Sequence, residues 1–501
     1  MEKVDKLIVA HRENIRSKYG TREKRIHAAL NRLLKASVKS GLSTRLVYAD
    51  DASTMPGVDR VVENASSPEQ FKNLIDALYD RHSPDYIVLI GAQDIIPFQV
   101  MKNPAWRHDD EESLPTDLPY ACDEPFDVDV RKFLAPTRVV ARIPDIPGSS
   151  DPSYFETLVN NIISWAPKPP AFYQKYFALS TASWKGSTQK NIRALFGNEN
   201  GVLLSPEEGP SFSRSQLKAA VHLINCHGAV EDPAFYGEKG RQMPEALHVN
   251  TLTGKVAPGG IVAAECCYGA QLYNQGEVGN MSIANHYLLE GAIAYLGSTT
   301  IAYGPANDLG LADLLAQYFL SNVFKGASTG SALLEARIQF LQQAGPYLDV
   351  VELKTFAQFI LLGDPSIHPV KATTSPKDRA ASIESMDTRE NRRENLKARG
   401  RALQTLVIPP VHTSQNELPL EVQSTIKQLL RDNKMTGDIR KEVYLNADPR
   451  LRERAKASPI RDVKFVVYST NESGSHVVRR RILVVKKKGL KILGSRLYVS
   501  R

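Results

Sequence analysis

At 501 residues, with 42% hydrophobic and 24% charged side chains, the chain exceeds one small core and is too apolar for a disordered polymer. Its formal net charge of +8 is modest for the length and gathers near the C-terminus, so composition alone does not make it a nucleic-acid binder. Four cysteines are too few for a disulfide scaffold, no apolar run approaches the about 18 residues that span a bilayer, and Leu7 to Ala10 is too brief for a signal peptide.

Hydrophobic periodicity predicts alternating strands and helices. Lys6 to Ala10 reads as a strand, Arg22 to Ser40 as an amphipathic helix, and Arg45 to Ala49 as a second strand. Ser67 to Gln70 opens a helix with proline in its first turn, and Asp85 to Gly91 is a third strand. Asn103 to Asp129 is polar and proline-rich and reads as a long loop. Thr137 to Pro144 is a strand and Ser153 to Trp165 a helix. The pattern restarts with strand Tyr176 to Ser180, a helix near Gln189 to Phe196, strand Gly201 to Leu204 and a helix from Ser213 to Ala220. Helix Ser282 to Glu290, strand Ala292 to Gly297, and helices near Leu309 to Phe324 and Gly330 to Ala344 lead to a close at Leu361 to Ser366. This order predicts a doubly wound, mostly parallel α/β sheet in two halves, residues 1–150 and 151–370. Residues 371–458 read as a charged linker with helices, including Leu420 to Asp432. Residues 459–501 read as a basic β-rich meander of Val463 to Ser469, His476 to Lys486 and Leu490 to Ser500, completing a helical and small β appendage.

Two apolar runs stop on reactive side chains. Val221 to Ile224 leads into Asn225-Cys226-His227-Gly228, and Ile261 to Ala264 leads into Glu265-Cys266-Cys267. Open α/β sheets place ligands at such strand ends. Imidazole can take a thiol proton and the thiolate attacks, so neighbouring ends can form a nucleophile and base.

With Tyr86 to Pro97 (Y-I-V-L-I-G-A-Q-D-I-I-P), Val139 to Pro144 (V-V-A-R-I-P) and Leu361 to Ser366 (L-L-G-D-P-S), these strand ends give the chain a resemblance to the gingipain-like branch of the caspase-fold cysteine peptidases. The resemblance covers roughly residues 80 to 370. It implies a caspase-like fold in which His227 acts as general base and acid, a cysteine attacks the scissile carbonyl, and the N–H groups of Gly228 and of the cysteine cradle the oxyanion. Relatives carry a small residue before the nucleophile, which favours Cys267 preceded by Cys266. Gly269, three residues after Cys266, matches the other alternative. An acid near Glu265 lines the pocket for the residue before the cut in metacaspases and legumains, so Glu265 is a candidate selector of Arg or Lys. In gingipains an acid upstream of the R-I-P strand does this, which makes Asp117, Asp127 and Asp129 rivals.

The resemblance implies a protein or peptide substrate, no metal in the chemistry, and room for structural calcium. A zinc site at Cys226, His227, Cys266 and Cys267 is disfavoured, because adjacent strand residues point oppositely. The cysteine usage suits a reducing, cytoplasmic setting, and the expected lack of a secretion signal and of a recognisable immunoglobulin-like module after the core departs from the family and favours an intracellular, regulated role over digestion. Self-processing within Asp387 to Arg401 and a regulatory protein partner are further expectations. The basic runs Arg479 to Arg481 and Lys486 to Lys488 read either as a protected edge strand or as a recruiting face, nucleic acid included, with no membrane partner. The alternative class is a non-catalytic scaffold of the same fold with a basic C-terminal binding module.

Overall fold

The computed structural model describes residues 4–305, 308–371, 389–414, 417–446, 463–473 and 477–501. A 10-stranded sheet runs in the order Thr44–Tyr48, Lys6–Ala10, Tyr86–Ile90, Val140–Ile143, Phe359–Gly363, Ala294–Ser298, Ile261–Ala264, Val221–Asn225, Tyr176–Thr181 and Val202–Ser205. Neighbours are parallel throughout, except that Phe359–Gly363 pairs antiparallel with Ala294–Ser298. The two halves therefore run in opposite directions. The chain between these two strands carries the helices Ala312–Phe324, Thr329–Ala344 and Val350–Gln358, the last running straight into Phe359–Gly363.

Strand residues alternate between two cores, as the pleat demands. Ile224, Cys226, Val262, Ala264 and Cys266 join the core under helices Glu23–Lys39 and Ser153–Ser164. Val221, Leu223, Ile261, Ala263 and Cys267 join the core under helices Ala312–Phe324 and Thr329–Ala344. Adjacent cysteines thus lie on opposite faces.

Three elements depart from the sequence reading. Arg12–Tyr19 is a helix, capped by His11, whose ring nitrogen accepts the Asn14 N–H at 3.1 Å. It buries only Ile15 and Tyr19, too few apolar positions for periodicity to register. The expected loop Asn103 to Asp129 is built in: Gln99–Lys102 pairs with Ser113–Thr116, and Leu114, Leu118 and Tyr120 are buried. Its acids serve as buried partners, since the Lys354 ammonium lies 2.5 Å from Asp109 and 2.6 Å from Glu111.

The C-terminal region is larger than a meander. Six strands form one antiparallel sheet in the order Tyr303–Gly304, Lys491–Ser500, Val478–Lys488, Val463–Ser473, Arg440–Asn446 and Val411–Thr413. The first of these belongs to the second half of the large sheet's chain segment, so the C-terminal sheet is stitched onto it. Val478–Lys488 is an interior strand, not an edge, which corrects the protected-edge reading. Its basic residues have intramolecular partners: Arg479 pairs with Glu238, the Arg481 guanidinium lies 3.5 Å from Glu472, and the Lys486 ammonium sits 5.1 Å from the Tyr347 ring centre. Of the expected self-processing segment, residues 387–388 lie outside the described residues, and Arg389–Leu406 is a helix that buries Leu403 and binds Glu335 through Arg399 at 2.8 Å.

Candidate active site

The strands Val221–Asn225 and Ile261–Ala264 pair in register, Val221 beside Ile261 and Ile224 beside Ala264, so their reactive ends emerge side by side. Beyond Asn225 the chain turns into His227–Gly228, which pairs antiparallel with Phe235 and Tyr236. Gly228 lies so close to Cys267 that a Cβ there would run into the Cys267 carbonyl, so only glycine allows this approach. On the other strand end the chain turns sharply at Tyr268, at φ 54, with Tyr268 N–H donating to Thr300 O at 3.0 Å. Gly269 N–H donates to Cys266 O at 3.2 Å within this turn. A Cβ at Gly269 would press on Cys266 O at 3.1 Å and Ala264 Cβ at 3.3 Å, so the glycine that makes Cys266 a candidate has a packing role of its own.

The two thiols face different surroundings. Cys266 Sγ points into the core, 3.6 Å from Ile224 O, and burial pushes its thiol well up. Cys267 lies in the opposite core, where its Sγ accepts the Ala302 N–H at 3.3 Å and lies 3.5 Å from Ala302 O. Burial pushes Cys267 up to about 12, against the pull of that N–H. All four cysteines are free and buried, Cys226 in the core beside Cys266 and Cys122 with its thiol 3.4 Å from Phe133 O.

His227 is fully buried, edge-on to the Trp184 ring at 4.6 Å between centres. Its Nε2 lies 3.5 Å from Glu238 Oε2, and neither ring nitrogen makes a hydrogen bond among the described residues. Burial lowers the imidazole's basicity and Glu238 works against it. Glu238 also accepts the Ser183 hydroxyl at 2.6 Å and pairs with Arg479. Burial would raise this carboxyl, yet His227, Ser183 and Arg479 together bring it down to about 2.

Next to Cys267 lies a buried pocket filled by Arg501. Its guanidinium donates to Glu265 Oε2 at 2.7 Å, to Asp313 Oδ2 at 2.6 Å and to the Asn225 side-chain oxygen, and sits 5.3 Å from the Trp184 ring centre. Glu265, Asp313, Asn225 and Arg501 are all wholly buried. Asn191 donates to Glu265 Oε1 at 2.9 Å and fixes that carboxylate from behind. Gly304 forms one wall, where any Cβ would overlap the guanidinium. Burial, then repulsion from Asp313, push Glu265 well up, while Asp313 and Glu265 hold Arg501 charged against desolvation. The backbone of Arg501 is held as well: its N–H donates to Ala302 O at 3.0 Å and its C=O accepts the Cys267 N–H at 3.3 Å.

Gly228 and Cys267 thus meet, with His227 and Glu265 beside them on the same two strand ends, while the three rival aspartates lie elsewhere. Asp117 forms a buried pair with Arg142 at 2.7 Å, Asp129 binds Arg131 at 2.5 Å, and Asp127 accepts the Asp129 N–H at 2.9 Å. Sequence reasoning passed over Asp313, Asn225, Trp184, Glu238 and Arg501. Asn225 carried a signal, a polar residue closing an apolar strand. Asp313 looked like an ordinary acid in a helix's first turn. Among the described residues no group of three or more His, Cys, Asp or Glu is arranged to hold a metal ion.

A search of curated proteins finds no match. Among solved structures, the chain is similar to the complex of Porphyromonas gingivalis RgpB pro- and mature domains, at 11% identity and a TM-score of 0.50, covering 98% of this chain and 99% of that one. A separase–securin complex of Saccharomyces cerevisiae aligns at 14% identity and a TM-score of 0.30, over 46% of this chain and 14% of that chain. The likeness to RgpB is one of fold, a mixed α/β unit with a large, mostly parallel sheet, and it agrees with the expected fold class. The profile of Peptidase family C25 matches residues 2–370, the span that contains both strand ends, and the chain belongs to that family of cysteine peptidases.

Proposed function

We propose that the chain is a cysteine endopeptidase that cuts after arginine, with Cys267 as nucleophile and His227 as base and acid. One observation carries the reading: a single arginine sits with its guanidinium between Glu265 and Asp313 and its carbonyl on the Cys267 N–H. That is the posture of a residue on the acyl side of a scissile bond. Two carboxylates and an amide oxygen match the planar fork of guanidinium better than a lysine's point charge.

The chemistry follows from these positions. Cys267 holds its proton at rest, so the thiolate forms as His227 takes that proton during attack. The carbonyl oxygen gains charge on the Cys267 N–H, a type of donor worth about 3 to 4 kcal/mol in the transition state, and the proposed second donor is the Gly228 N–H. The carbon–nitrogen bond breaks as His227 gives the proton to the leaving amine, and water then enters by the reverse proton path to release the acid. Glu238 steadies the imidazolium formed in both steps.

The test is kcat/KM for matched peptides with Arg, Lys or Asp before the cut, using a chain whose pocket has been emptied by Arg501→Ala. Preference for Arg, lost in Glu265→Gln, is expected; equal cleavage of all three would overturn the reading.

A further inference from the structure

We infer that the strand Lys491–Ser500 with Arg501 is an internal inhibitor of this peptidase: it occupies the arginine pocket as a substrate would, while Arg479 on the adjoining strand engages Glu238. The inference rests on the proposed arginine-specific site and concerns how that site is kept silent.

Backbone geometry gives the first argument. Ser500 and Val499 pair antiparallel with Tyr303 and Gly304, and Arg501 continues the ladder through Ala302 to Cys267. An extended peptide entering the site would use the same ladder, because added strands bind through main-chain hydrogen bonds. Both cannot be present together.

Access gives the second. With the strand in place Cys267 is 2% exposed and His227 0% exposed. No peptide carbonyl can reach a thiol so covered, so the arrangement cannot be the working state.

Anchoring gives the third. The inhibiting strand is paired along its length with Val478–Lys488, Arg496 binds Glu352 at 2.5 Å, and the Tyr498 hydroxyl donates to Asp349 at 3.1 Å. A ligand tethered this way competes at an effective concentration of about millimolar or more, which soluble substrates rarely reach. Arg479 adds a second lock, since it shares Glu238 with His227.

Binding separates this inference from the reaction itself. A fluorescent peptide ending in arginine is titrated into full chains carrying Cys267→Ala alone, Cys267→Ala with Arg501→Ala, and Cys267→Ala with Arg496→Ala and Tyr498→Phe. The last loosens the strand without touching the pocket and guards against misfolding of the second; melting curves check both. Binding at least about tenfold tighter in a loosened chain than in Cys267→Ala alone is expected. Equal binding in all three overturns internal inhibition and leaves the arginine pocket standing. No binding in any of them, with melting intact, overturns the pocket and the inhibition together.

Discussion

The Cys267 N–H donates to the Arg501 carbonyl oxygen at 3.3 Å, the contact on which the proposal of Cys267 as nucleophile and Arg501 as mimic of the residue before the cut rests. Neither position by itself implies the other; each gains its meaning from the contact.

The contact separates the two neighbouring thiols. A peptide-based thiol probe is expected to label the Arg501→Ala chain at Cys267, with labelling lost in Cys267→Ala and kept in Cys266→Ala. Cys266 is core, so Cys266→Ala should instead cost about 1 kcal/mol of stability. Intact-mass measurement and melting curves read both effects.

Thiol pH dependence tests the covered state. Burial raises Cys267 to about 12, so the thiolate is the minor form at neutral pH. Alkylation of Cys267 in the intact chain by a small reagent should keep rising with pH and reach no plateau below about pH 10. Arg501→Ala admits water and should lower the midpoint. A plateau near pH 8 in the intact chain would contradict the buried thiol.

The pocket acids should act through specificity. Glu265→Gln and Asp313→Asn, each made with Arg501→Ala, are expected to lower kcat/KM for arginine peptides by about 30- to 5,000-fold, since truncating one partner of a buried charge pair costs about 2–5 kcal/mol. Steady-state kinetics on arginine and leucine peptides checks this. Leucine peptides, which never used the acids, should lose little.

How much of this was legible in the sequence depends on what kind of signal each residue gives. Ile224 and Ala264 close apolar strands, and burial on both faces writes such strands plainly as continuous apolar runs. His227, Gly228 and Cys267 stood out because reactive side chains followed those runs. Arg501 and Asp313 gave no such signal. Arg501 sits in an ordinary basic, β-patterned segment, and only pairing with Tyr303 and Gly304 carries it to the pocket. Asp117 shows the converse: a buried acid upstream of the R-I-P strand that is taken up by that strand's own Arg142.

Glu238 should behave as a positioning residue. In the Arg501→Ala chain, Glu238→Gln is expected to lower kcat on the order of 10-fold with KM nearly unchanged. Glu238 raises the His227 pKa, so its loss should move the acid limb of the kcat/KM profile to lower pH. An unmoved acid limb would argue against contact with His227.

The same carboxyl sets an acid limit on the lock. Glu238 falls from an ordinary 4.5 to about 2 in the folded chain, so the stability it contributes is present above about pH 4.5 and lost as pH falls towards 2. The groups facing it are His227, Ser183 and Arg479, with Glu472 beside Arg479. Wild type should therefore lose more melting temperature over that window than Glu238→Gln.

The most direct measurement of the central claim is a peptide-library cleavage profile of the Arg501→Ala chain. Cleavage confined to bonds after arginine, and absent when Cys267→Ala is added, is the predicted result. Cleavage that ignores the residue before the cut, or that persists without Cys267, would contradict it.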